Sequence, residues 1–247
     1  MRRRALAPIS LLIVAAVALS ACGGASRPDL TDPSEIITKS VEAIQKAKTV
    51  HLSTTVEGSI SSSLTGTGTG SMQLAGTTLS ADLDLANSNA HLSASVPALL
   101  GLTADIILVG TDTYSKVSLT GDKYTKATSA PGTITDPATV ITEIKAFLAK
   151  PELKPTKKDD AACGSKKCYQ VVIDLTADEL SSLIPGQPIG DATVMVTMLF
   201  DKDTLYPASG TAVVKGTQIG DLTLKLTLSE WDKAVTIKAP PADQVGP

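Results

Sequence analysis

Three cysteines, two histidines and a few paired carboxylates are the residues of this 247-residue chain that could do covalent, acid–base or metal chemistry. Cys163 and Cys168 flank Gly164-Ser165-Lys166-Lys167, a turn signal. Strands folding back there would bring the two thiols to disulfide distance. The alternative is a redox or metal pair, but no second close cysteine pair and no nearby histidine accompanies them. His51 and His91 lie in runs of alternating polarity, where a histidine is usually solvated or hydrogen-bonded rather than catalytic. Asp82 and Asp84 are two residues apart, which in a strand puts both on the polar face. Lys157-Lys158-Asp159-Asp160 reads as a surface loop. There is no G-x-S-x-G elbow and no H-E-x-x-H pair, and the glycine-rich Thr65–Gly70 run lacks the Lys-Ser/Thr ending of a phosphate loop. The expectation is a non-enzyme without metal or cofactor.

Cys22 stands in a different context. Arg2, Arg3 and Arg4 precede an apolar run from Ile9 to Leu19 in which Ser10 is the only polar residue. That run is short against the roughly 20 residues of a membrane span and fits a signal peptide. Leu19-Ser20-Ala21-Cys22 resembles the bacterial lipobox, in which the cysteine is diacylated and becomes residue one. Two chains anchor stably where one holds only reversibly, at about 0.8 kcal/mol per buried methylene. Residues 1–21 are thus expected to be removed and Cys22 to carry the anchor. Residues 22–32 read as a flexible tether reaching at most roughly 35 Å. The body would then sit on the extracytoplasmic face of the cell membrane, an oxidising space that favours a Cys163–Cys168 disulfide. Its short loop makes that bond worth roughly 2 kcal/mol by chain entropy.

The elements follow from periodicity. Asp32, Pro33 and Glu35 open a helix with Ile37, Val41 and Ile44 on one face, ending near Lys48. From Thr49 to about Lys126 the period becomes two. Leu79, Ala81, Leu83 and Leu85 share one face, and Leu92, Ala94 and Val96 repeat the pattern. Pro97–Leu102 is apolar without alternation and reads equally as ordinary core or as a flap over a hydrophobic ligand. Strands are expected at 105–109, 113–119 and 123–127, and a helix at 136–148 striped by Val140, Ile141, Ile144, Phe147 and Leu148. Later come a strand at 169–175, a short helix from Thr176 to Ile184 and strands at 192–201, 206–215 and 221–230. An extended piece at 234–238 precedes a loose tail, 241–247. No charge jump or long linker divides residues 33–240, which read as one α+β domain: a large antiparallel sheet with helices on one face.

Composition narrows the partners. The chain has 22 basic and 25 acidic residues, and it becomes more acidic once the three leading arginines are lost. That balance argues against nucleic acid. Two Phe, one Trp and four Tyr leave few platforms for bases or sugars. A broad sheet that curls around helices can leave a cavity lined by aliphatic side chains, which suits acyl chains.

The chain resembles the mycobacterial-type LppX/LprA/LprF/LprG lipoproteins over roughly residues 22–240. The features that carry the resemblance are Cys22 in its lipobox, the opening helix and the 136–148 helix. Further on they are Tyr169–Ile173 leading to Ala177-Asp178-Glu179-Leu180, the Ala192–Val196 strand and Leu226–Trp231 with Val235. The resemblance implies an unclosed half-barrel with helices on its concave side, similar to LolA/LolB carriers. It also implies binding of multi-acylated lipids or glycolipids and their movement toward the outer envelope. It brings no catalytic residues. Alternation and the apolar loop nominate a lipid cavity lined by Leu83, Leu85, Leu99, Leu100, Leu102, Ile106, Leu108, Val140, Ile144, Val194 and Val196. The competing readings are an accessory lipoprotein that docks on a membrane lipid transporter, and an enzyme of envelope lipids using His51 or His91.

Overall fold

The period-two stretches form strands, and among the described residues every pairing of one strand with another is antiparallel. In this computed structural model the residues described are 29–61, 70–128, 142, 146–148, 150, 153–183, 190–217 and 220–246. Helix α1 (Pro33–Ile44) leads into β1 (Thr49–Ser61). There follow β2 (Ser71–Gln73), β3 (Thr77–Asp84), β4 (Asn89–Val96), β5 (Leu102–Val109), β6 (Asp112–Val117) and β7 (Thr125–Thr128). The second half holds β8 (Thr156–Cys163), β9 (Lys166–Leu175), helix α2 (Ala177–Leu183), β10 (Thr193–Asp201), β11 (Pro207–Lys215) and β12 (Leu222–Ser229).

The sheet runs β7-β6-β5-β4-β3-β1-β12-β11-β10-β9-β8, with β2 paired to the far part of β1. Its two edge strands do not pair with each other, so it is not closed into a barrel. Two meanders therefore meet at β1, which pairs with β3 on one side and with the last strand, β12, on the other.

Helix α1 starts where its cap dictates. The Asp32 carboxylate accepts from Ser34 N at 2.8 Å and Glu35 N at 3.4 Å, and Pro33 loses no hydrogen bond at the first position. The helix buries Ile36, Ile37, Ser40 and Val41. It ends at Ile44, a turn earlier than the sequence suggests, because residues 45–48 turn toward β1. Asp32→Ala should lower stability by about 1 kcal/mol in urea titration, with an unchanged m-value. Helix α2 starts with a reciprocal box: Thr176 N donates to Glu179 Oε2 at 3.0 Å, and Glu179 N donates to Thr176 Oγ1 at 3.4 Å. The Thr176 backbone N–H and Lys154 together hold the Glu179 carboxyl down to about 2.

Several elements differ from the sequence reading. Residues 157–160 are not a loop but part of edge strand β8, with a register shift between Lys158 and Ala161. Charge and irregularity are the usual means of blunting a sheet edge, and they hide a strand from a pattern search. Leu102 belongs to β5 rather than to the apolar loop. The piece at 234–238 forms no strand. The tail is held rather than loose. Tyr124 N donates to Gln244 O at 2.8 Å, Gly246 N donates to Tyr124 O at 2.8 Å, and Ile237 and Val245 pack on a cluster of Ile107, Tyr114 and Tyr124.

Cys163 and Cys168 form the expected disulfide across the β8–β9 turn, with a Cα–Cα distance of 5.9 Å. Cys22, the 136–141 start of the second predicted helix, and its Val140 and Ile144 lie outside the described residues. Ala146, Phe147 and Leu148 are helical.

Candidate functional site

Register assigns each strand residue to one of two faces. His51 pairs with Asp82 and Asp82 with His91, so these share a face, the outer one. The inner face carries Leu52, Thr54 and Val56 of β1, next to Leu228, Leu226 and Leu224 of β12. On the other side of β1 lie Ala81, Leu79 and Thr77 of β3, then Leu92, Ala94 and Val96 of β4, then Ile106, Ala104 and Leu102 of β5. In the other direction β12 is followed by Gly210, Ala212 and Val214 of β11, then Met198, Val196 and Val194 of β10. No charged residue takes an inner position in β1, β3, β4, β5, β10 or β12.

Cover over this face is uneven. Leu153, Ile173, Leu175, Leu180 and Ala192 form a closed cluster on the β9–β10 side, with Val194 and Val196 packed against it. Helix α2 thus lies on the inner face, as its Leu180 shows. At the end where β1 begins, Val50, Ala90 and Leu108 are also buried. In the centre, Leu52, Leu92, Ile106, Leu224 and Leu226 are only half-buried, and Leu79 is 40% exposed. An apolar strip across the middle of the sheet is therefore incompletely covered by the protein's own side chains.

The nominated cavity residues divide accordingly. Leu83, Leu102, Ile106, Leu108, Val194 and Val196 occupy inner-face positions. Leu85 lies past the end of β3, where its N–H donates to Lys48 O at 2.8 Å. Leu99 and Leu100 do not line the inner face: they top the β4–β5 turn, and Leu100 is 93% exposed. The turn is short and hydrogen-bonded, with Leu99 N donating to Val96 O and Gly101 N to Pro97 O. Leu52, Leu224 and Leu226, at the centre of the same face, were not among those nominated. The alternation of Leu222, Leu224, Leu226 and Leu228 was the signal that could have found them.

Across β1, β3 and β4 the outer face is polar, while on β5 and β6 it carries Ile107 and Tyr114 beneath the tail. His51 Nδ1 lies 2.7 Å from Asp82 Oδ1 and His91 Nε2 lies 3.0 Å from Asp105 Oδ1. Lys225 and Glu57 pair at 2.9 Å, and Lys126 and Asp112 at 2.8 Å. The hydrogen bond from Lys126 holds the Asp112 carboxyl below its usual range. A groove of about 780 Å³ on this face is lined by Thr78, Ser80, Ser93, Ser95 and Ser118 together with Ala94 and Ala104. It lies on the face opposite the aliphatic strip. Among the described residues no three His, Cys, Asp or Glu side chains converge to hold a metal ion.

A family model described as LppX_LprAFG lipoprotein matches residues 32–237. The chain belongs to this family. LprF from Mycobacterium bovis, a solved structure, is 17% identical with a TM-score of 0.54, over 84% of this chain and 96% of that one. The Mycobacterium tuberculosis lipoprotein LppX is 14% identical with a TM-score of 0.51, over 83% of this chain and 97% of that one. At such identities the likeness concerns the fold, and it is the LppX_LprAFG sheet, large, antiparallel and unclosed, that is shared. A search of curated proteins gave no match.

One further cluster ties the two meanders of this LppX_LprAFG sheet together. Tyr206 and Trp231 stack with ring centroids 4.5 Å apart, and Trp231 Nε1 donates to Pro207 O at 3.1 Å. Asp232 accepts from Lys48 N at 2.7 Å and from the Tyr206 hydroxyl at 2.8 Å, joining the start of β1 to the β10–β11 turn. The Lys48 N–H, and after it the Tyr206 hydroxyl, lower the Asp232 carboxyl. Burial, then Asp232, pushes the Tyr206 hydroxyl up to about 12. A raised folded pKa means that the native state holds this proton more tightly than the unfolded chain, where tyrosine titrates near 10. The Tyr206 contribution is therefore present below pH ~10 and lost as pH rises through about 12. The Asp232 contribution is present above pH ~4 and lost as pH falls through its lowered value. Urea midpoints should thus decline in that alkaline window for the wild type and decline less for Tyr206→Phe.

Proposed function

We propose that this protein is a membrane-anchored lipoprotein that binds acylated lipids or glycolipids against the inner face of its open sheet and carries them across the cell envelope. The half-exposed centre of that face carries the reading. Leu52, Leu79, Leu92, Leu224 and Leu226 form one uncharged aliphatic strip that the chain leaves partly uncovered. Apolar area left in water forgoes about 25 cal/mol per Å². Hydrocarbon chains laid along the strip would recover that energy without closing the sheet. Several chains fit the broad strip better than one, hence a multi-acylated ligand. Cys22 would supply the anchor and residues 22–32 the tether, with the body on the extracytoplasmic side. The protein's part is to hold and release, not to catalyse. Both histidines engage carboxylates on the opposite face, away from the strip.

Mass spectrometry of organic extracts tests this directly. Protein purified without its own acyl group should carry multi-acylated lipid and pass it from donor to acceptor vesicles. An extract free of lipid, together with no uptake of a fluorescent acyl probe, would overturn the proposal.

A further inference from the structure

We infer that the turns at the far end of β3–β6 form a membrane-docking edge whose partner is the hydrocarbon of a lipid surface at the mouth of the inner face. The purpose of the edge rests on the lipid-binding reading; its geometry does not. Leu100 is 93% exposed, Leu119 64% and Leu99 42%. Leu99 and Leu100 top the β4–β5 turn, and Leu119 follows β6. The two turns are joined, since Ser118 N donates to Thr103 O at 2.9 Å and Thr103 N donates to Ser118 Oγ at 3.0 Å.

The exposure is built in. Leu99 N donates to Val96 O, Gly101 N to Pro97 O and Leu102 N to Leu99 O, all within 3.1 Å. Leu100 itself has φ +56°, a left-handed conformation that leucine seldom adopts, and Gly101 follows at φ +73°. A backbone set this way fixes Leu100 outward. Two residues on, Leu102 takes an inner-face position, with Val96 opposite it and Leu79 in the next row. Apolar surface thus leads from the tip to the strip where acyl chains are proposed to lie.

The occupant is lipid rather than protein for three reasons. Three leucines on narrow turns offer far less than the roughly 800 Å² per partner of a standard protein interface. A fluid apolar phase accepts isolated projecting side chains without a matching surface. The chain outside the described residues ends, on the proposed reading, in an acylated Cys22 whose tether of at most roughly 35 Å keeps the body beside a membrane. Asp122 and Lys123, which follow Leu119 in the chain, carry opposite charges, so docking should be insensitive to salt.

Full-length acylated protein carrying Leu100→Cys, labelled with bimane, tests this on phosphatidylcholine vesicles containing a minority of phosphatidylglycerol. Cys163 and Cys168 are bonded to each other, so the label has one site. The expected result is a blue-shifted emission, quenched severalfold more by nitroxide-tailed lipid than the same label at Thr78→Cys on the outer face, and unchanged at high salt. Leu119→Cys should behave like Leu100→Cys. Labels at 100 and 119 as water-exposed as that at 78 would overturn the inference. So would a blue shift already present in Cys22→Ser protein without vesicles, which would make a second copy the occupant. Lipid in the organic extract reads the strip independently, so either idea can fail alone.

Discussion

Gly58→Ala should destabilise the sheet by about 4 kcal/mol or more, placing it among the most damaging single substitutions in the chain. Gly58 has φ +99°, and a Cβ there would sit 2.1 Å from Asp221 O. That oxygen cannot withdraw, because it accepts from Ser59 N at 2.8 Å. Opposite, Gly220 has φ +102°, and its Cβ would meet Ser59 O at 2.4 Å. The two backbones cross closely where β1 passes from β3 to β2, and Leu74 N donates to Gly58 O at 2.8 Å. Any side chain at 58 must push β12 away from β1, the seam of strand pairing through which the two meanders meet. Gly110→Ala is the control. Its φ is +61°, yet nothing lies within 4 Å of the added carbon. It should cost only about 1 kcal/mol. Equal losses for the two variants in urea titration would show that the seam tolerates separation.

That seam also shows which parts of the molecule are legible in the sequence. The faces of β3, β4 and β12 follow from local alternation, since Leu79-Ala81-Leu83 and Leu222–Leu228 each mark one side of one strand. The cap at Asp32 and the disulfide are also local, being set by residues close in the chain. The pairing of β1 with β12 is not, because its partners stand at opposite ends of the domain and nothing in either strand names the other. Edge strand β8 was hidden by its lysines and aspartates, which answer to the edge rather than to a core. Leu99 and Leu100 misled for a related reason. Apolar character predicts burial only where the chain has somewhere to bury it, and a hydrogen-bonded turn at a sheet end has not. How completely the inner face is covered depends on side chains from several distant elements, so no single stretch of sequence could report it.

Incomplete cover predicts that Ala212→Trp will lower bound lipid at least about tenfold while changing stability by less than about 1 kcal/mol. Ala212 sits at an inner-face position between Val196 of β10 and Leu224 of β12 and is only half-buried. The row beside it contains Gly210, Ala94 and Ala104, small residues that leave room above the backbone. An indole at 212 would lie across the strip, bury its own apolar surface and occupy volume otherwise open to acyl chains. A solid interior gives the opposite pair of results. Overpacking a filled core costs about 1–3 kcal/mol, and no lipid would be there to lose. Ala94→Trp, on the other side of β1, should reproduce the lipid loss if one continuous strip spans both meanders. Retention of lipid in that variant would confine the ligand to the β10–β12 half. Urea denaturation and mass spectrometry of the same preparations separate these outcomes, because a filled interior would lose stability with no lipid to lose, whereas an open strip loses lipid at nearly constant stability.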